Sequence, residues 1–210
     1  MKIKLWFDIV CPYCYLGKKN LEIALENFGH KDEVTIDYRS YQLIPDAEKN
    51  TGINIIENLM KKYNITKDEA IKNCESVAER LRSVGLDYKY EKQTATNTFD
   101  TFMVYHVAKE NNLSSKYIDK IMNAYFIEGN DIGDIDYLLK VSEELGLDKN
   151  RVLEAINTRE FEDVCEKEKQ TAKNKGLSVV PFFLINDEFI ISGSNSPEII
   201  LNTLREIYKK

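Results

Sequence analysis

The sequence predicts an α/β protein in which one domain, assembled from the two ends of the chain, is interrupted by an all-helical insertion. Three observations predict it. The first 45 residues alternate strand, helix and strand; from about Gly52 to Lys175 every apolar pattern has helical spacing; strand character then returns in a hairpin, and a last helix follows. On this reading residues 1–48 and 174–210 form the discontinuous domain and residues 49–173 the insertion.

The first strand is the apolar run Ile3, Leu5, Phe7 with Ile9 and Val10, and the helix from Tyr15 to Asn27 places Leu21, Ala24, Leu25 and Phe28 along one face. In the second strand, Val34 to Tyr41, Val34, Ile36 and Tyr38 alternate with polar neighbours, and Pro45 ends the region. A helical crossover between two such strands predicts a parallel βαβ unit. The insertion opens with a short helix over Ile53–Tyr63. Thr66 with Glu69 three residues later is a capping-box signature for a helix carrying Ala70, Cys74, Val77, Ala78 and Leu81. Asn97 or Thr98 caps a helix containing Phe99, Phe102, Met103, His106 and Val107; further helices cover Ser115–Phe126, Ile135–Leu145 and Lys149–Lys173. Val179–Ile185 and Phe189–Ser192 form a hairpin about Asn186-Asp187-Glu188. Ser196 and Pro197 then start the last helix as N-cap and N1, with Ile199, Ile200, Thr203, Leu204 and Ile207 inward.

Composition narrows the function. A chain of 210 residues with 43% hydrophobic content packs a sizeable core, and a net charge of −6 argues against a nucleic-acid or anionic-membrane binder. No stretch approaches the roughly 18 apolar residues of a membrane span. The N-terminus does not read as a signal peptide, because Asp8 interrupts the short apolar run after Lys2 and Lys4. The expected location is therefore cytoplasmic, where structural disulfides are rare and a C-x-x-C pair is catalytic or metal-binding.

That pair is Cys11-Pro12-Tyr13-Cys14, placed where the first strand hands over to the first helix. The spacing brings the two Cα atoms to roughly 5–6 Å, the separation a disulfide needs. Cys11 would sit at the helix N-terminus, where unpaired N–H groups and the helix dipole favour a thiolate, making it the nucleophile. Cys14, one turn in, would be shielded and would resolve the mixed disulfide. Pro12 has no N–H to lose in the first turn. Tyr13 would shape the rim and tune the potential.

Several phrases resemble the FrnE-like branch of the DsbA family of oxidoreductases. They are Asp8-Ile-Val-Cys-Pro-Tyr-Cys-Tyr-Leu-Gly17, Asn97-Thr-Phe-Asp100, Ala124-Tyr-Phe-Ile-Glu-Gly-Asn-Asp-Ile-Gly-Asp134, Gly146-Leu-Asp148, Val180-Pro-Phe-Phe183 and Ile191-Ser-Gly193. They span nearly the whole chain in the family's order. The resemblance implies a thioredoxin-like fold interrupted by the helical insertion, with Cys11 as nucleophile, Cys14 as resolving thiol and Pro181 as the cis-proline facing them. Such a proline leaves the main chain of Val180 to pair with an extended substrate. Pro12, Tyr13 and Val180 are the expected substrate contacts. The implied partners are protein or small-molecule disulfides and dithiols, with glutathione as a thiol partner and no metal or organic cofactor. The chain departs from the family where Thr101-Phe102-Met103 replaces Ala-His-Arg on the insertion, near where partners are expected to dock. It departs again at Ser194-Asn195, where Ala-Gln is usual, and at Val179, where Gly is common.

Other chemistries compete. The same fold with an insertion serves kappa-type glutathione transferases and 2-hydroxychromene-2-carboxylate isomerases, which usually have serine at the thiol position; retention of Cys11 and Cys14 argues against them. A zinc or holdase-like binding module would need more ligands than the isolated Cys74, Cys165, His30 and His106 offer. Cys74, Cys165 and His106 read as packed side chains. Asp8 is expected either to relay a proton or to tie down the loop before Cys11.

Overall fold

The computed structural model describes residues 1–49 and 51–209. The chain divides into two compact units, Met1–Tyr41 with Cys165–Lys210, and Gln42–Val164.

The first unit is built on a four-stranded sheet of order β2-β1-β3-β4, with β1 at Lys2–Phe7, β2 at Thr35–Ser40, β3 at Phe182–Ile185 and β4 at Phe189–Ser192. β1 pairs parallel with β2 (Leu5 opposite Tyr38) and antiparallel with β3 (Trp6 opposite Phe182), and β3 pairs antiparallel with β4. The parallel pair follows from the crossover helix α1, Pro12–Glu26, as the βαβ pattern requires. All four residues of β3 are buried, as befits an inner strand covered on both faces. The hairpin turns on Asn186 and Asp187, both with positive φ, a conformation those two residue types tolerate best. The last helix, α9 (Pro197–Tyr208), starts at Ser196, whose hydroxyl accepts from the Ile199 N–H. Ile200, Leu204 and Ile207 face inward as expected, but Ile199 is exposed, because the helical period that puts 200, 204 and 207 on one face turns 199 away from it.

In the second unit Asn54 caps α2 (Ile55–Tyr63), which starts two residues later than expected, and the capping box of Thr66 and Glu69 is formed at the head of α3 (Lys67–Arg82). The centre is α4, Phe99–Glu110, buried continuously from Asp100 to Ala108. Phe102 and Met103 are therefore core side chains, as is His106, which reads as a packed side chain in the sequence. Asn97 ties the start of α4 to the loop before α2: its Oδ1 accepts from the Phe99 N–H and Gln42 Nε2, while its Nδ2 donates to the carbonyls of Pro45 and Ala47. α5 (Ser114–Asn123) runs on into a π-helical turn, Ala124–Glu128, before α6 (Ile135–Glu144).

The helix expected from Lys149 to Lys173 is two helices, α7 (Lys149–Thr158) and α8 (Glu162–Asn174). Arg159 adopts a left-handed conformation, φ 54°, and the N–H of Glu160 returns to the carbonyl of Ala155. Neither glycine nor proline announces this break. It is held by Phe161, which is buried with its ring stacked on His106 at 5.2 Å and faced by the Arg151 guanidinium. Beyond it, Glu168 on α8 belongs to the first unit: its carboxylate accepts from the Ser40 N–H and hydroxyl, both at 2.6 Å, and from Arg39 Nη1 at 3.1 Å, while its carbonyl accepts from Trp6 Nε1. These bonds place most of α8 with the sheet, so the compact units meet the chain at 41/42 and 164/165 where the sequence reading has 48/49 and 173/174.

Candidate active site

The handover from β1 to α1 decides where the two thiols sit. β1 ends at Phe7 and Ile9-Val10 form a turn, not the strand extension expected of them. Cys11 is the N-cap of α1 with extended backbone (φ −88°, ψ 112°); Pro12 occupies N1, so the helix starts three residues earlier than its apolar face alone indicates. The Cys11 N–H donates to the Asp8 carbonyl, and the Cys11 carbonyl accepts from Cys14 and Tyr15. No side chain caps the helix and no acidic residue occupies its first turn, so the positive end of the dipole faces the first sulfur without an anionic competitor on the helix.

Both cysteines are reduced and buried, Cys11 at 6% and Cys14 at 1% exposure. Burial pushes the Cys14 thiol well above its ordinary range. A hydrogen bond to Cys11 and the Cys11 charge add to this, and the Asp8 charge contributes in the same direction against an opposing backbone hydrogen bond from Asp8. Cys14 thus keeps its proton and holds it toward Cys11. Asp8 itself is fully enclosed. Tyr13 stands out at 41% exposure, and Pro12 is half-buried.

The other site segment precedes β3. The Val180–Pro181 peptide bond is cis, and the three residues from Val179 to Pro181, expected to be strand, lie outside it, because a proline ring cannot donate to the ladder. Val180 and Pro181 are buried whereas Val179 is 52% exposed, and the Pro181 carbonyl accepts from the Gly193 N–H at 2.8 Å. The two segments meet through Gly17, whose missing side chain leaves room for the Pro181 ring: a Cβ at Gly17 would lie 2.5 Å from Pro181 Cγ. The sequence reading assigned Gly17 no role. Its signal was a glycine inside a helix, which has a packing or functional reason when it is kept there.

Among the described residues no group of three or more His, Cys, Asp or Glu side chains is placed to hold a metal ion, and no helix is long and apolar enough to cross a membrane. Cys74 is a buried core thiol pushed up to about 11, by burial first and then by the charges of Glu91 and Glu75. Cys165 is half-buried on α8, more open than the packed position expected of it.

A family model described as a DSBA-like thioredoxin domain matches residues 2–205. The chain belongs to that family. Among solved structures, a probable DsbA oxidoreductase from Streptomyces coelicolor is 26% identical, with a TM-score of 0.94 over all of this chain and 91% of its own. A 2-hydroxychromene-2-carboxylate isomerase is 16% identical with a TM-score of 0.71, covering all of this chain and 97% of its own. The cytosolic disulfide reductase DsbM from Pseudomonas aeruginosa, solved with GSH, is 12% identical with a TM-score of 0.71 over the whole of both chains. The last two establish a shared fold. A shared fold does not fix the chemistry, so the reading of function rests on the side chains at the head of α1.

Proposed function

We propose that this DSBA-like protein is a thiol-disulfide oxidoreductase whose reactive pair is Cys11 and Cys14. The observation that carries the reading is the unequal placement of the two sulfurs: Cys11 is the N-cap of α1 with no acidic residue in the first turn, and Cys14 is buried one turn further in, where enclosure and its neighbour push its thiol up. The Cys11 thiolate attacks one sulfur of a substrate disulfide; the S–S bond breaks, the other substrate sulfur leaves as a thiolate, and a mixed disulfide forms. Cys14 then gives up its proton and attacks Cys11 Sγ, which expels the second substrate sulfur and leaves a Cys11–Cys14 disulfide. Two electrons pass from the enzyme dithiol to the substrate. In reverse, the oxidised enzyme passes its disulfide to a dithiol. The sulfurs suffice for both directions, without metal or organic cofactor. Pro12, Tyr13 and Val180 contact the substrate, and Pro181 holds the facing segment. A cytoplasmic setting favours reduction or isomerisation of protein or small-molecule disulfides, with glutathione as the thiol that recycles the enzyme.

The deciding measurement is the Cys11–Cys14 equilibrium in glutathione buffers, read alongside reduction of a peptide disulfide. A tenfold change in equilibrium corresponds to about 30 mV for this two-electron couple. Turnover by the native protein that is lost in Cys14→Ser is the expected result. Full activity of Cys14→Ser in a glutathione-dependent isomerisation or transfer would overturn it in favour of the isomerase-type chemistry. Stoichiometric zinc with no disulfide turnover would overturn it in favour of a binding module.

A further inference from the structure

We propose that Gly17 is a positioning residue for this chemistry, setting how closely the cysteine-bearing head of α1 approaches the Val180–Pro181 segment; the proposal rests on the thiol-disulfide reading above. Gly17 lies in the interior of α1, where glycine is the poorest helix former after proline, so helix stability alone would favour almost any other residue. Its position is fully occupied from the other side. A Cβ there would sit 2.5 Å from Pro181 Cγ, 3.3 Å from Pro181 Cβ and 3.5 Å from Phe183 Cζ. The obstacle is a ring fused to the backbone, not the end of a flexible side chain, so it cannot swing aside.

Retreat of the proline is blocked as well. Its carbonyl accepts from the Gly193 N–H, and Phe182 and Phe183, which follow it, are hydrogen-bonded in β3 between β1 and β4. An added methyl must therefore push α1 away from the Val180–Pro181 segment as a unit, with its hydrogen-bonded first turn preserved. Cys14 and Gly17 are three residues apart and share one face of α1, so moving one displaces the other. The reacting sulfurs and the facing segment then lose their mutual alignment while the sheet and the helix persist.

The test is a double-mutant cycle in the full chain with a peptide disulfide as substrate, using Gly17→Ala, Pro181→Ala and the pair. Replacing Pro181 by alanine removes the Cγ that Gly17 accommodates. Gly17→Ala is expected to lower kcat/KM by about 10- to 100-fold, the scale of an ångström-sized misplacement of reacting groups. Alkylation of Cys11 by iodoacetamide, which needs no docked substrate, should change by no more than about twofold, since the helix start that activates the sulfur is intact. In the Pro181→Ala background the same substitution should cost no more than about threefold, because coupled neighbours are not additive. Equal losses in both backgrounds, or a Gly17→Ala enzyme as active as the native one, would overturn the proposal while leaving the function standing. Absence of turnover in the native protein would instead remove the function, and the proposal with it. If Gly17→Ala does not fold, recovery of the fold in the double variant supports the close approach and continued failure overturns it.

Discussion

Cys11 and Cys14 are the same residue type three positions apart, and their surroundings divide the work between them. The first is the N-cap at the positive end of α1; the second is enclosed one turn further on, beside the first sulfur and Asp8. Cys14→Ser should therefore arrest the reaction at the mixed disulfide on Cys11, detectable by mass spectrometry under non-reducing conditions; release of substrate at the native rate would remove Cys14 from the mechanism. Burial and the Asp8 charge still hold the Cys14 proton in that intermediate, so its release should accelerate with rising pH. Asp8 contributes to the raised value through its charge, so Asp8→Asn should let Cys14 ionise more readily and move the pH profile of release to lower pH. An unmoved profile would show that Asp8 only ties down the loop. Gly17 carried little sequence signal for so close a contact, because the constraint on it comes from a proline more than 160 positions away.

At the scale of elements, local sequence rules held where the decisive contacts are local. The capping box at Thr66 is formed, with the Glu69 carboxylate accepting from the Thr66 N–H at 2.8 Å. Thr66→Ala should cost about 1 kcal/mol in chemical denaturation. The break between α7 and α8 shows the opposite case. Lys149 to Lys173 reads as one periodic helix, and the chain turns at Arg159 because Phe161 finds His106 and Arg151 within the second unit. α8 in turn is anchored by Glu168, one carboxylate that serves two neighbours on β2. Glu168→Ala should destabilise the protein by about 3 kcal/mol, the low end for a broken buried ion pair, since Arg39 keeps access to water. A loss below about 1 kcal/mol in urea unfolding would mean that the anchor is replaceable, since bonds to a buried charge are worth more than that.

For the whole molecule the buried thiols set a pH limit. Cys14 and Cys74 both hold their protons more tightly folded than a free thiol does, which ionises near about 8.5. The folded state thus binds more protons than the unfolded one above that pH. The stability from these thiols is intact below about 8.5 and declines as pH rises toward the folded values, about 11 for Cys74. Unfolding of the reduced protein followed from pH 7 to 10 should show this decline, and Cys74→Ala should flatten it. An identical slope in the variant would place the loss elsewhere.

By itself the sequence determined the parallel βαβ start, the helical interior of the chain, the final hairpin and helix, and the position of the reactive pair at a helix start. Each of these depends on side chains a few residues apart, through periodicity, caps and turn residues. Tertiary structure alone decided that α7 and α8 are separate and that Gly17 receives Pro181. Those features arise from packing between segments distant in the chain, where contact distance, not spacing along the sequence, is the physical variable.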